Sequence, residues 1–144
     1  MANLYKLLAR TDLSKQEVHK ILFKDIAITV EECRIKLGEG WYCNTEIFPD
    51  TTSADSYVLD VPENLVAIFS FRWNVDGYIK AMEVIMNWIT HTNTDFVFLE
   101  NSEIILLSRI NGEVVINSSE KAGLPQEVID MIDIEYQVRD LGIL

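Results

Sequence analysis

The sequence predicts an α+β fold: a single antiparallel sheet with a C-terminal β-meander, on which a long central helix and shorter N- and C-terminal helices pack. Three observations carry that expectation. Tyr78, Ala81, Met82, Ile85, Trp88 and Ile89 recur at the three- and four-residue spacing of a helix buried along one side. Three apolar runs, Asp95 to Glu100, Glu103 to Ile110 and Glu113 to Ile116, follow closely, separated by Asn101-Ser102 and Asn111-Gly112. Asn-Gly is favoured in two-residue type I′ hairpins, because both positions take positive φ. Finally, Ser14-Lys15-Gln16-Glu17 has the form of a capping box, the signature of a helix start.

From the N-terminus, Ala2 to Ala9 alternates loosely as a strand does, and the capping box opens a helix through about Phe23, with Leu13 and Val18 placed as a hydrophobic staple. Ile26 to Val30 reads as a short strand, whereas Glu31 to Gly40 fits strand, helix or turn and stays open. Gly38-Glu39-Gly40 before Trp41-Tyr42, and the Pro, Asp, Thr and Ser of Pro49 to Asp55, are loop signals. A strand is expected over Tyr57 to Val61. A firmer one runs from Leu65 to Trp73, with Val66, Ile68, Ser70 and Arg72 on one face and Leu65, Ala67, Phe69, Phe71 and Trp73 on the other. Asn74 is placed to cap the helix that runs to about His91, leaving Lys80, Glu83 and Asn87 off its apolar stripe. In the meander, Phe96-Val97-Phe98-Leu99 and Ile104-Ile105-Leu106-Leu107 are apolar at consecutive positions, which implies a sheet covered on both faces or one offering an apolar face to a partner. Pro125 suits the first position of a short helix through about Ile132, and the tail Ile134 to Leu144 is apolar enough to dock back.

The 144 residues suit one domain, 1–144, without a linker or internal repeat. The longest apolar runs fall far short of the roughly 20 residues that span a bilayer, and Met1 to Arg10 carries Lys6 and Arg10 without a cleavage motif, so a cytoplasmic protein is expected. Cys33 and Cys43 have no nearby histidine and no CxxC spacing, which points to unlinked thiols.

The net charge is −11, from 23 acidic and 12 basic side chains. Residues 1–72 hold eight Lys/Arg against eleven Asp/Glu, a balance of −3, and residues 73–144 hold four against twelve, a balance of −8. Such a field repels phosphate backbones and anionic lipid, which argues against direct nucleic-acid or membrane binding and favours a basic protein partner. Acidity that serves only solubility is an equal alternative.

The chemistry-bearing motifs are missing from the sequence. Gly38-x-Gly40 has Cys43 where a dinucleotide fingerprint needs its third glycine, and there is no Walker GK[ST], G-x-S-x-G or H-E-x-x-H. His19 and His91 stand alone on helices. Glu100 with Glu103, or Asp130 with Asp133, would act as general acid and base only if one member were buried with a raised pKa. No enzyme activity, cofactor or metal is therefore expected. Two features suit a protein interface: Trp41 and Tyr42, either anchors for a partner's pocket or plugs at the end of the core, and the acidic set Glu113, Glu120, Glu127, Asp130 and Asp133, of which the last three have a three-residue spacing that is expected to place them close together on the final helix.

Phe71-Arg72 closing a strand, Ala81 and Met82 in the next helix, Asp95 before an apolar strand, Asn101-Ser102-Glu103, Leu106, Arg109, Asn111-Gly112 and Asn117 form a pattern over about residues 70–117. It resembles small immunity proteins of bacterial polymorphic-toxin and contact-dependent growth inhibition systems. The resemblance implies a cytoplasmic protein without catalysis that binds and neutralises one cognate toxin domain, often a nuclease with a basic cleft, and no family binding residue carries over. Arg72 and Arg109 are expected to be structural partners of nearby acids rather than binding residues. In the free state a monomer or weak dimer is expected. An acidic secretion chaperone, normally a dimer, is the alternative, and a small-ligand domain or enzyme the third; mass in solution separates the first two.

Overall fold

Sheet is the main regular structure of the described chain. The computed structural model describes residues 3–31, 34–38, 40–47, 65–71, 75–101, 103–119 and 122–141. In chain order the elements are β1 (Asn3–Ala9), α1 (Lys15–Leu22), β2 (Thr29–Glu31), β3 (Arg34–Gly38), β4 (Trp41–Ile47), β5 (Leu65–Phe71), α2 (Val75–His91), β6 (Phe96–Glu100), β7 (Ile104–Ile110), β8 (Glu113–Asn117), α3 (Gln126–Ile129) and β9 (Gln137–Arg139). The strands form one nine-stranded sheet in the order β2-β3-β4-β5-β1-β6-β7-β8-β9. β9 joins β8 in parallel and the other pairings are antiparallel.

The expected architecture is thereby corrected. The sheet is mixed rather than purely antiparallel, and it draws on the whole described chain rather than on a C-terminal meander. There is no long central helix: the three helices are short, and only α2, with 17 residues, has any length. The physical reason is strand order. β1 lies between β5 and β6, and pairings such as Tyr5 with Phe69 and with Glu100 join residues far apart in sequence, which local periodicity does not encode.

Register explains the burial. Partners across a ladder share a face, so Tyr5, Leu7 and Ala9 stand beside Phe69, Ala67 and Leu65, and Leu7 and Ala9 also beside Phe98 and Phe96. With Cys43 of β4, Val18 and Leu22 of α1, Met82, Ile85 and Trp88 of α2, and Val128 of α3, they form the main core. Leu8, Val97 and Leu99, at the alternate positions, form a second buried cluster. The consecutive apolar run Phe96 to Leu99 is thus divided between two clusters. The β6–β7 register shifts between Phe98 and Leu99 of β6, so Leu106 is an extra residue on β7 and both Leu106 and Leu107 reach the main core.

Local chemistry fixes the element ends. Ser14 Oγ accepts the Glu17 N–H at 3.2 Å and Glu17 Oε1 accepts the Ser14 N–H at 3.1 Å, closing the capping box; the backbone hydrogen bond from Ser14 holds the Glu17 carboxyl below its usual pKa. Asn111 (φ 51°) and Gly112 (φ 81°) make the type I′ turn between Ile110 and Glu113. Several expectations shift. The strand expected over Ile26 to Val30 is β2, Thr29–Glu31; the glycine-rich stretch is a hairpin in which β4 already starts at Trp41; and Pro125 caps α3 instead of sitting inside it. α3 ends at Ile129, although tight bonds from Met131 N to Val128 O (3.1 Å) and Ile132 N to Ile129 O (3.0 Å) carry the turn onward. The tail contributes β9. The loop expected over Pro49 to Asp55, the strand expected over Tyr57 to Val61, and Arg72, Trp73 and the expected cap Asn74 lie outside the described residues.

Candidate acidic interface

The surface with most to offer a partner lies over α2, beside α3 and the β7–β8 hairpin, and one buried arginine organises it. Arg109 of β7 donates from Nε to the Thr94 carbonyl (2.9 Å), from Nη1 to the Ile89 carbonyl (3.0 Å) and from Nη2 to Thr92 Oγ1 (2.9 Å). Burial pushes its pKa down and the Asp95 carboxylate partly offsets that. Its role is structural, as expected, but its hydrogen bonds go to the chain leaving α2 rather than to an acid. Asp95 Oδ1 accepts the Asn111 N–H at 2.9 Å, which fixes the hairpin to the start of β6.

Three adjoining concavities run across this surface. The first, about 400 Å³, is a saddle over α2 walled by Lys24, Asp25 and Ile26 on one side and Met131 and Asp133 on the other, with Glu83 and Met86 between. The second, about 420 Å³, shares Thr90 and Asp133 with it and adds Ile134 and Glu135. The third, about 350 Å³, shares Gly112, Val114 and Glu135 with the second and adds Glu113 and Tyr136. Their lining gathers Asp25, Glu83, Glu113, Asp133 and Glu135 with two cations, Lys24 and the buried Arg109. Glu83 is paired with Lys80 at 3.8 Å, and Glu113 with Arg139.

The residues singled out from the sequence fall into two groups. Glu113 and Asp133 line the concavities. Glu127 is exposed on α3, and Asp130, also exposed, accepts from Gln126 Nε2 at 2.8 Å; because α3 is so short, the three-residue spacing does not set Asp133 on the same helix. Glu120 lies outside the described residues. Trp41 and Tyr42 belong to β4, towards the opposite end of the sheet, so the two groups do not meet. Trp41 packs against the main core, where a Cβ on Gly38 would overlap its ring, and the Arg34 guanidinium lies 3.6 Å from the centre of the Tyr42 ring. Sequence reasoning missed Asp25 and Glu135. Glu83 was visible as an off-stripe helix position, but nothing local joins it to Asp133.

Elsewhere the reactive side chains are held in packing. Burial pushes the Cys43 thiol up to about 12, which keeps it protonated; Cys33 lies outside the described residues. His19 Nε2 contacts Thr45 Oγ1, its ring meets Phe23 edge-on, and burial, then Lys15, lower its pKa. Burial raises the Glu100 pKa and a hydrogen bond from Tyr5 draws it back; the Tyr5 and Tyr78 hydroxyls are hydrogen-bonded at 2.9 Å. Glu103 is exposed. Among the described residues no group of three or more His, Cys, Asp and Glu is placed to hold a metal, and no helix is long and apolar enough to cross a membrane. Comparison with protein-family models, curated proteins and solved structures gives no match.

Proposed function

We propose that the chain is a cytoplasmic immunity protein that binds a cognate toxin domain and neutralises it by occupying a basic, nuclease-like surface, without chemistry of its own. One observation carries this reading: Asp25, Glu83, Glu113, Asp133 and Glu135, drawn from four separate stretches of the chain, line adjoining concavities on one surface. Charges within a Debye length, about 8 Å at physiological salt, reinforce one another, so such a surface steers and orients a cationic partner. The resemblance over residues 70–117 supplies the class of that partner. A protonated Cys43 and a His19 packed on Thr45 and Phe23 also favour binding over nucleophilic chemistry.

The test is protection. Cells expressing the toxin domain encoded beside this chain survive when the chain is co-expressed, and the purified pair associates at a rate that falls steeply with salt. Reversing Glu83, Asp133 and Glu135 together to lysine slows association while the circular dichroism spectrum is unchanged. An unchanged association rate removes this surface from the interface, and failure to protect removes the immunity reading.

A further inference from the structure

The saddle over α2 has an apolar floor inside its acidic rim. Ile26, Met86 and Met131 are half-buried there, each packed against the main core, and Asp25, Glu83 and Asp133 stand around them. Its wall is fixed in advance. Asn87 Nδ2 donates to the Leu22 carbonyl (3.0 Å) and to the Lys24 carbonyl (2.9 Å), which clamps the loop after α1 onto α2. A surface that worked by charge alone would gain nothing from this floor, whereas a hot spot combines a large anchor in a preformed pocket with charges at its rim. Methionine side chains suit such a floor because they adjust to the shape of what they meet.

We propose, resting on the reading above, that this saddle is the anchor point of the interface and takes an aromatic side chain of the partner flanked by lysine or arginine. The occupant follows from the lining: the anchor meets Ile26, Met86 and Met131, and the cations on either side meet Asp25, Asp133 and Glu83, the last shared with Lys80, against Lys24 in the wall. The volume of about 400 Å³ has room for one large side chain with its neighbouring backbone.

Methyl spectra of the full chain labelled at its four methionines test this without a toxin in hand. The probes are the peptide acetyl-Lys-Arg-Trp-Arg-Lys-amide and its counterpart with glycine in place of tryptophan. The tryptophan peptide is expected to shift the Met86 and Met131 methyl signals saturably through its ring current, and to leave Met82, 1 % exposed inside the core, unmoved. The glycine peptide is expected to perturb only the amides of Asp133 and Glu135. Met86→Gln, which keeps the length but removes the apolar contact, is expected to weaken the tryptophan peptide to the affinity of the glycine peptide. Equal methyl shifts from both peptides, or an unchanged affinity in Met86→Gln, overturn the anchor. Amide shifts from both peptides with still methyls overturn the anchor and leave the acidic interface standing. No shift from either peptide overturns both.

Discussion

The Arg109 guanidinium, on β7, donates to the Ile89 carbonyl at 3.0 Å and so closes the C-terminal end of α2. The last carbonyls of a helix lack intrahelical partners and carry the negative end of its dipole, so a buried cation is favoured there. Its other two bonds, to Thr92 Oγ1 and the Thr94 carbonyl, fix the path from α2 to β6. Arg109→Met is expected to lower unfolding stability in denaturant by about 1.5–3 kcal/mol, since charged hydrogen bonds are lost and acceptors are stranded. Arg109→Lys should recover little, because a lysine head cannot hold three divergent acceptors. Full recovery with lysine would show that charge, not the fork, does this work.

The α2 stripe makes a second expectation. Ile85 is fully buried, with Met82, Trp88 and Ile89 beside it in the main core. Ile85→Ala is expected to cost about 2–5 kcal/mol, through lost transfer energy and the cavity left behind. A loss below about 0.5 kcal/mol in urea unfolding would mean that the site collapses freely.

What the sequence disclosed and what it hid separate along a physical line. The α2 stripe, the Ser14–Glu17 capping box and the Asn111-Gly112 turn are encoded within a few residues, and each stands where its spacing places it. Strand order is not local: β1 pairs with β5 and β6, and β9 adds three exposed residues, Gln137, Val138 and Arg139, too few to show an alternation. Gly38 and Gly40 suggested a loop, yet Gly38 ends β3 and leaves space for the Trp41 ring. The acidic character of the second half was legible. That Asp25, from the other half, would stand across a saddle from Asp133 was not, because the packing of both flanking loops onto α2 brings them there.

Cys43 carries a pH prediction. Its thiol, at 0 % exposure, titrates at about 12 instead of the ordinary 9.0, because burial disfavours the thiolate. Between those values the unfolded chain has released a proton that the folded chain retains. The thiol's contribution to stability is therefore fully present below about pH 9 and is lost as pH rises towards 12, with a slope of at most about 1.4 kcal/mol per pH unit. Cys43→Ala should remove that slope, so the difference between the two stability curves should narrow above pH 9. Curves that stay parallel from pH 8 to 11 would sink the assignment.

Asn117 on β8 helps to hold the C-terminal wall of the acidic surface in place. It is 4 % exposed, and its side chain is fully used: Nδ2 donates to the Ile105 carbonyl at 2.7 Å, while Oδ1 accepts the N–H groups of Ser119 and Leu141 at 2.9 Å each. The Ser118 N–H adds a bond to the Arg139 carbonyl at 2.8 Å. β9 is short and exposed, and its ion pair from Arg139 to Glu113 is half open to solvent, so that pair contributes little. The Asn117 amide thus adds a buried side-chain tie on the tail to the β8–β9 ladder and to the packing of Ile134 and Tyr136 against the core. Asn117→Ala is expected to cost about 1–3 kcal/mol, because it strands buried backbone groups. It should also speed hydrogen exchange at the Leu141 amide well before exchange in β1 changes. Asn117→Asp should do no better near neutral pH, since its second oxygen would face the Ile105 carbonyl where a donor is needed. Leu141 exchange that stays slow in both variants would place the hold on the tail elsewhere in β9.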